Sequence, residues 1–182
     1  MGFVSILSQK SDKIVIFPRN KPFGTLFVID KSEYNYLKER RITMNFNNFT
    51  IKAQEAVQEA VNLTQAHNGQ VIEPIHLLQA VMKVGENVTK FIFQKLGVNG
   101  QQIANVVARQ IESLPKVSGG NPYLSRESND VLQKAVQYSK EMGDEFVSIE
   151  PIILALLVVK STASSILKDA GVSVKELRED IN

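Results

Sequence analysis

The stretch "VIEPIHLLQAV" at residues 71–81 returns as "SIEPIILALLV" at residues 148–158, with Ile-Glu-Pro-Ile identical in both and an apolar run after each. A catalytic motif seldom needs a duplicate, whereas a structural unit that packs against its own copy does. The grammar of the segment is that of a helix start. Pro74 and Pro151 are tolerated in a first helical turn, where the missing N–H would have no partner anyway. Glu73 and Glu150 set negative charge beside the positive end of the helix dipole. The apolar run is too dense for a surface stripe, so this helix is expected at the centre of each copy.

The flanks repeat as well. From Thr50, residues Ala53, Ala56, Val57, Ala60, Val61 and Thr64 fall at the i, i+3, i+4, i+7 spacing of one helical face. Moved on by 75 positions, the face reappears as Ser128, Val131, Leu132, Ala135, Val136 and Ser139. Thr50 and Ser125 stand at the two starts, where each can accept a backbone N–H as N-cap. The central segments lie 77 apart, so the second copy has two more residues in the preceding loop. A third helix is expected over residues 88–96 and again over 163–170, ending at Gly97 and Gly171, which are 74 apart. Glycine past a helix end supplies a left-handed residue without steric cost. A fourth helix follows each glycine, signalled by Asn99-Gly-Gln-Gln102 and Ser173-Val-Lys-Glu176. The reading is all-α: two pseudo-symmetric four-helix repeats, 48–114 and 125–182, packed as one domain over residues 44–182. The Pro- and Gly-rich segment 115–124 links them.

Chemistry is conspicuous by what the residues cannot assemble. No glycine is followed by lysine, so the chain carries no P-loop, and neither G-x-G-x-x-G nor H-E-x-x-H occurs. Cysteine is absent, which removes disulfides and thiolate chemistry and suits a reducing cytoplasm. The two histidines, His67 and His76, lack ligand-like spacing, and His76 reads as a helix-packing residue. No nucleophile-elbow pattern supports a Ser/His/acid triad. The longest apolar run, residues 151–159, is about half of what a bilayer crossing needs. No metal, cofactor or catalytic residue is expected in this chain, and the pattern argues for a binding module.

The net charge of +2 conceals an asymmetry. Residues 1–43 hold eight Lys/Arg and four Asp/Glu, leaving 13 basic and 15 acidic residues in 44–182. Phosphate binding by the helical part is therefore disfavoured, although the basic first segment keeps open a helical nucleic-acid module as one alternative. Residues 1–43 show two β-like runs, 14–17 and 25–29, and are read as an extension outside the fold with little order. They are either an upstream addition without a role or a basic arm for anionic partners.

With "IEPIHLLQAV", "LGVNGQQI" and "GDEFVSIEPIILALL" in order, and "MNFNNFT" and "ESLPKVSGG" around them, residues 44–182 resemble the N-terminal domain of Clp-type AAA+ unfoldases, most closely the ClpB-type disaggregase branch. The resemblance implies a substrate-engaging domain of a hexameric ATPase that works with the DnaK chaperone system in the cytoplasm. It also implies ATP- and Mg-binding modules downstream of Asn182, with the isolated domain a monomer. The function so implied is capture of unfolded or aggregated polypeptide in a shallow apolar groove between the repeats. The alternative within the family is the adaptor-docking domain of a ClpA- or ClpC-type protease partner. Carried over residue by residue, the family's recognition positions fall on Thr50, Asp144 and Glu150. Its apolar groove positions fall on Tyr138 and Pro151. Lys134 stands where an apolar residue can occur, which implies a more polar groove. On this reading Tyr138→Asp should abolish binding without unfolding the domain.

Overall fold

The structure, a computed structural model, describes residues 4–5, 13–16, 27–30, 46–117 and 121–181. The chain divides into two compact units, residues 1–45 and 46–182. In the first, β1 (Val4–Ser5), β2 (Lys13–Ile16) and β3 (Phe27–Asp30) form an antiparallel sheet in that order, with Ile14 opposite Ile29 and Val4 opposite Ile16. The expected β-like runs overlap β2 and β3, while β1 carried no sequence signal. Most positions of the expectation that residues 1–43 have little order lie outside the described residues.

The second unit is helical. Its elements are α1 (Ile51–Ala66), β4 (Val71–Ile72), α2 (Pro74–Val84), α3 (Glu86–Lys95), α4 (Gly100–Glu112), β5 (Tyr123–Leu124), α5 (Arg126–Glu141), α6 (Ile149–Val158), α7 (Thr162–Asp169) and α8 (Val174–Ile181). A short 3-10 turn, Phe46–Asn48, precedes α1. Four helices per repeat match the expectation. The starts are capped as the residues require: Thr50 Oγ1 accepts from Ala53 N–H at 3.2 Å and Ser125 Oγ from Ser128 N–H at 3.0 Å. Asn99 accepts from Gln102 N–H at 3.1 Å and Ser173 from Glu176 N–H at 3.2 Å.

The first and third helix of each repeat end alike. Asn68, Gly97, Gly143 and Gly171 all have positive φ, from 55° to 94°. The amide after each reaches back to close the last turn, as in Val98 N–H to Phe93 O at 2.8 Å and Val172 N–H to Leu167 O at 3.0 Å. Asn68 and Gly143 lie 75 apart, so the duplication extends to this backbone device.

α2 and α6 form the core, as their density of apolar residues demanded. Ile152 to Leu157 are all fully buried, as are Ile75, Leu77, Leu78 and Val81. Burying each such side chain contributes about 1.5–3 kcal/mol. The small face of α1 (Ala53, Ala56, Ala60) lets that helix approach α2 closely, and α5 packs on α6 in the same way. α6 begins at Ile149 after Ser148, so Pro151 sits at the third helical position, within the first turn as expected. A proline in the first turn still costs no hydrogen bond. Among the described residues no single helix is long and apolar enough to cross a membrane.

The repeats are strapped together crosswise. Phe49, before α1, bridges in parallel to Val147, before α6, with Val147 N–H to Asn48 O at 2.7 Å and Thr50 N–H to Val147 O at 3.0 Å. In mirror fashion β4, before α2, pairs in parallel with β5, before α5. There Ser125 N–H and Ser128 Oγ–H both donate to Ile72 O, at 3.0 and 2.6 Å. Each repeat's first helix start is thus tied to the other's central helix start. The strand β5 falls inside the segment read from sequence as a mere linker, and residues 118–120 of that linker lie outside the described residues.

Candidate functional site

The crosswise straps create two inter-repeat junctions with opposite fates. At one, Ser125 lies against Glu73. His76 N–H donates to the Glu73 carbonyl at 2.9 Å, while Glu73 N–H donates to His76 Nδ1 at 3.0 Å, forming a reciprocal cap. Burial first, then the neighbouring Glu127 charge, raises the Glu73 carboxyl above its usual range, while a Ser125 hydrogen bond opposes the shift. His76 is 2% exposed. Its pKa is lowered from 6.5 to about 4, chiefly by burial and then by the charge of His67, with the Glu73 backbone pulling weakly the other way. His76 is a packing and capping residue, and this junction is closed.

The other junction is open. Thr50 and Glu150 are 100 residues apart in the chain, and the Phe49–Val147 bridge brings their segments side by side. Two adjoining depressions, of about 660 and 430 Å³, run from Thr50 and Ile51 to Phe91 and Asp144. They share Asn87, Val88, Ser148 and Glu150, and so form one groove between the repeats. Its repeat-one wall has a traceable origin. The spacing between copies drops from 77 at the Ile-Glu-Pro segment to 74 at the glycines, giving repeat one three more residues there. The surplus lengthens the helices, α2 and α3 having 11 and 10 residues against 10 and 8 in α6 and α7, and Val84, Glu86, Asn87 and Val88 at their junction line the groove.

Of the expected site residues, Thr50, Asp144 and Glu150 line this groove. Thr50 caps α1 through its side chain, and Glu150 sits in the first turn of α6. Asp144 follows Gly143; its N–H closes the end of α5 on Ser139 O at 2.9 Å, and its side chain is exposed. Tyr138 and Pro151 are not groove residues. Tyr138 is 4% exposed, with Lys134 Nζ 5.1 Å and the Arg178 guanidinium 4.9 Å from its ring centre. Its apolar ring turns inward and the two cations cover the outer face. Pro151 is buried, as are Ile149 and residues 152–157 of α6. Lys134, expected to make the groove more polar, instead covers Tyr138 and bonds Gln137 Oε1 at 2.9 Å.

The apolar surface that lines the groove comes from residues the sequence reading missed. Ile51 is 75% exposed and Phe91 62%. The available signal was the comparison of copies: Ile51 corresponds to Arg126 at a spacing of 75, and Phe91 to Ser165 at 74. The groove's charge is acidic once pairs are discounted. Lys52 is paired with Glu55 at 2.9 Å and Lys83 with Glu59 at 2.7 Å. Glu86, Asp144 and Glu150 have no ion-pair partner among the described residues. Among those residues no group of three His, Asp or Glu could hold a metal ion. The arrangement is suited to holding a chain segment, with apolar contacts at each end and carboxylates between.

Comparison with known proteins agrees with this architecture. Residues 48–170 match the family described as "Clp repeat (R) N-terminal domain". The chaperone protein ClpB of Bacteroides thetaiotaomicron is 78% identical over 139 residues, and that of Porphyromonas gingivalis 53% over 138. Each alignment covers 76% of this chain and 16% of the relative, so the chain spans about a sixth of the length of these curated relatives. Among solved structures, the Hsp104 N-terminal domain from Candida albicans superposes with a TM-score of 0.65 at 23% identity, over 72% of this chain and 87% of that one. A ClpV N-domain, solved in complex with a VipB peptide, superposes with a TM-score of 0.60 at 16% identity, over 75% and 86%. On the strength of the family match and the identity to ClpB chaperones, this chain belongs to the Clp repeat N-terminal domain family.

Proposed function

We propose that this domain captures unfolded or aggregated polypeptide in the groove between its repeats, as the client-binding part of a ClpB-type disaggregase. One observation carries the reading: exposed Ile51 and Phe91 flank a groove whose acidic residues lack ion-pair partners among the described residues, at the open one of two equivalent junctions. Exposed apolar surface is what distinguishes unfolded chains from folded ones, and a complementary apolar groove binds the former selectively. The identity to ClpB chaperones supports the assignment to a disaggregase over an adaptor-docking protease partner. That a ClpV N-domain holds a peptide supports the fold's suitability for the task. The same reading places the parent in the cytoplasm as a hexamer acting with DnaK, with ATP and Mg bound by modules outside this chain.

An NMR titration tests it. Reduced, carboxamidomethylated ribonuclease A should shift amide signals of Thr50, Ile51, Phe91, Asp144 and Glu150, while native ribonuclease A shifts none. Shifts confined to other surfaces, or equal shifts with the native protein, would sink the proposal.

A further inference from the structure

We infer that repeat one carries a second binding site, separate from the groove: a cavity between α2, α3 and α4 that takes a small, neutral, largely apolar molecule bearing an N–H donor, held by Gln79 and Thr89. The cavity measures about 730 Å³, within the range of small-molecule sites. Met82, Phe93 and Val107 supply apolar wall, and Gln79 and Thr89 line it from α2 and α3.

The duplication makes these two polar residues informative. Gln79 corresponds to Leu156 at a spacing of 77, and Thr89 to Ala163 at 74. Leu156 and Ala163 are both fully buried, so the fold is served by apolar side chains at both places. Gln79 Oε1 is buried and has no hydrogen-bond partner among the described residues. Leaving a buried amide oxygen unpaired destabilises a fold, and the leucine of the other copy avoids that cost. Thr89 is 4% exposed. Its hydroxyl directs its one proton to the Gly85 and Glu86 carbonyls, each at 3.1 Å, so its oxygen is left to accept. The two buried polar side-chain atoms of the wall are therefore acceptors, and an occupant that satisfies them must donate.

Charge sets the remaining property. Glu86 and Lys90 line the cavity with opposite signs, and Lys83 is already paired with Glu59 at 2.7 Å. The lining is thus neutral in sum, and an ion entering beside Phe93 and Val107 would lose its hydration without a counter-charge in return. Of the residues lining this cavity, only Lys83 and Glu86 also line the groove between the repeats, so the two sites are separable by experiment.

Methyl NMR on the full chain tests the site with two probes. Indole is a neutral bicycle with one N–H, and 1-methylindole keeps the rings and adds apolar surface but has no donor. Indole should shift the methyl signals of Met82, Ala104 and Val107, which line the cavity. 1-Methylindole should bind about fivefold more weakly or worse despite its extra methyl, because it leaves Gln79 Oε1 unpaired. Gln79→Leu, which installs the residue of the other copy, should raise the urea midpoint of the free protein and erase the preference for indole. Absence of shifts at these methyls, or equal binding of the two probes by the unaltered chain, overturns the inference. So does an unchanged or lowered urea midpoint for Gln79→Leu, since it would show that the oxygen is satisfied in the free protein. The comparison of the two probes needs no variant, so it decides the matter even where the substitution disturbs the fold.

Discussion

Acidification offers a sharp test of the closed junction, because one neutral histidine is built into it. His76 is 2% exposed and its Nδ1 must stay unprotonated to accept Glu73 N–H at 3.0 Å. In the unfolded chain it binds a proton near 6.5, whereas in the folded chain burial delays this to about 4. Between those values the unfolded state holds more protons, so stability falls as the pH falls through the window and is constant above it. The whole interval is worth about 3 kcal/mol, of which about 2 should be lost by about pH 5. Glu73 works in the opposite sense. Its folded carboxyl keeps a proton to higher pH than the unfolded one, so it offsets part of the loss at the acid end. Urea denaturation across this range, on the unaltered chain and on His76→Gln, isolates the histidine. The glutamine can still accept from Glu73 N–H but cannot titrate. The unaltered chain should lose about 1–2 kcal/mol more than the variant between about pH 6.5 and 5. Parallel losses, or an NMR titration of the His76 ring with its midpoint near the ordinary value, would refute the reasoning.

Other consequences follow from residues already placed. Gly97 and Gly171 have φ of 67° and 94°. Replacing either by valine should cost on the order of 1 kcal/mol or more in a urea melt, since β-branched residues avoid this region. A neutral result at both would mean that these turns relax. Tyr138→Asp should unfold or strongly destabilise the domain, by about 3 kcal/mol or more, because it puts a carboxylate in a site that is 4% exposed. A thermal melt within a degree or two of the unaltered chain would restore Tyr138 as a surface residue.

The helices, their caps and their left-handed ends were legible because each depends on a few neighbouring residues: Thr50 and Ser125 at starts, Gly97 and Gly171 at ends, the Pro-led apolar runs at the centre. The duplication multiplied that local signal, since each device appears twice in order. Face and partner were less legible. Tyr138 lies next to the buried Ser139 on α5, and only the packing against α6 and the cover from Arg178 on α8 decided that its ring turns inward. The groove depends on still less local facts. Thr50 and Glu150 come to line one groove through a backbone bridge between Phe49 and Val147, and backbone hydrogen bonds leave no side-chain pattern in a sequence. Ile51 and Phe91 read in sequence as ordinary apolar members of helices. Whether an apolar residue on a helix is core or anchor depends on what packs against it. That is set by the crosswise strapping of the repeats and the tight α2–α3 junction at Gly85, and no helical period records either.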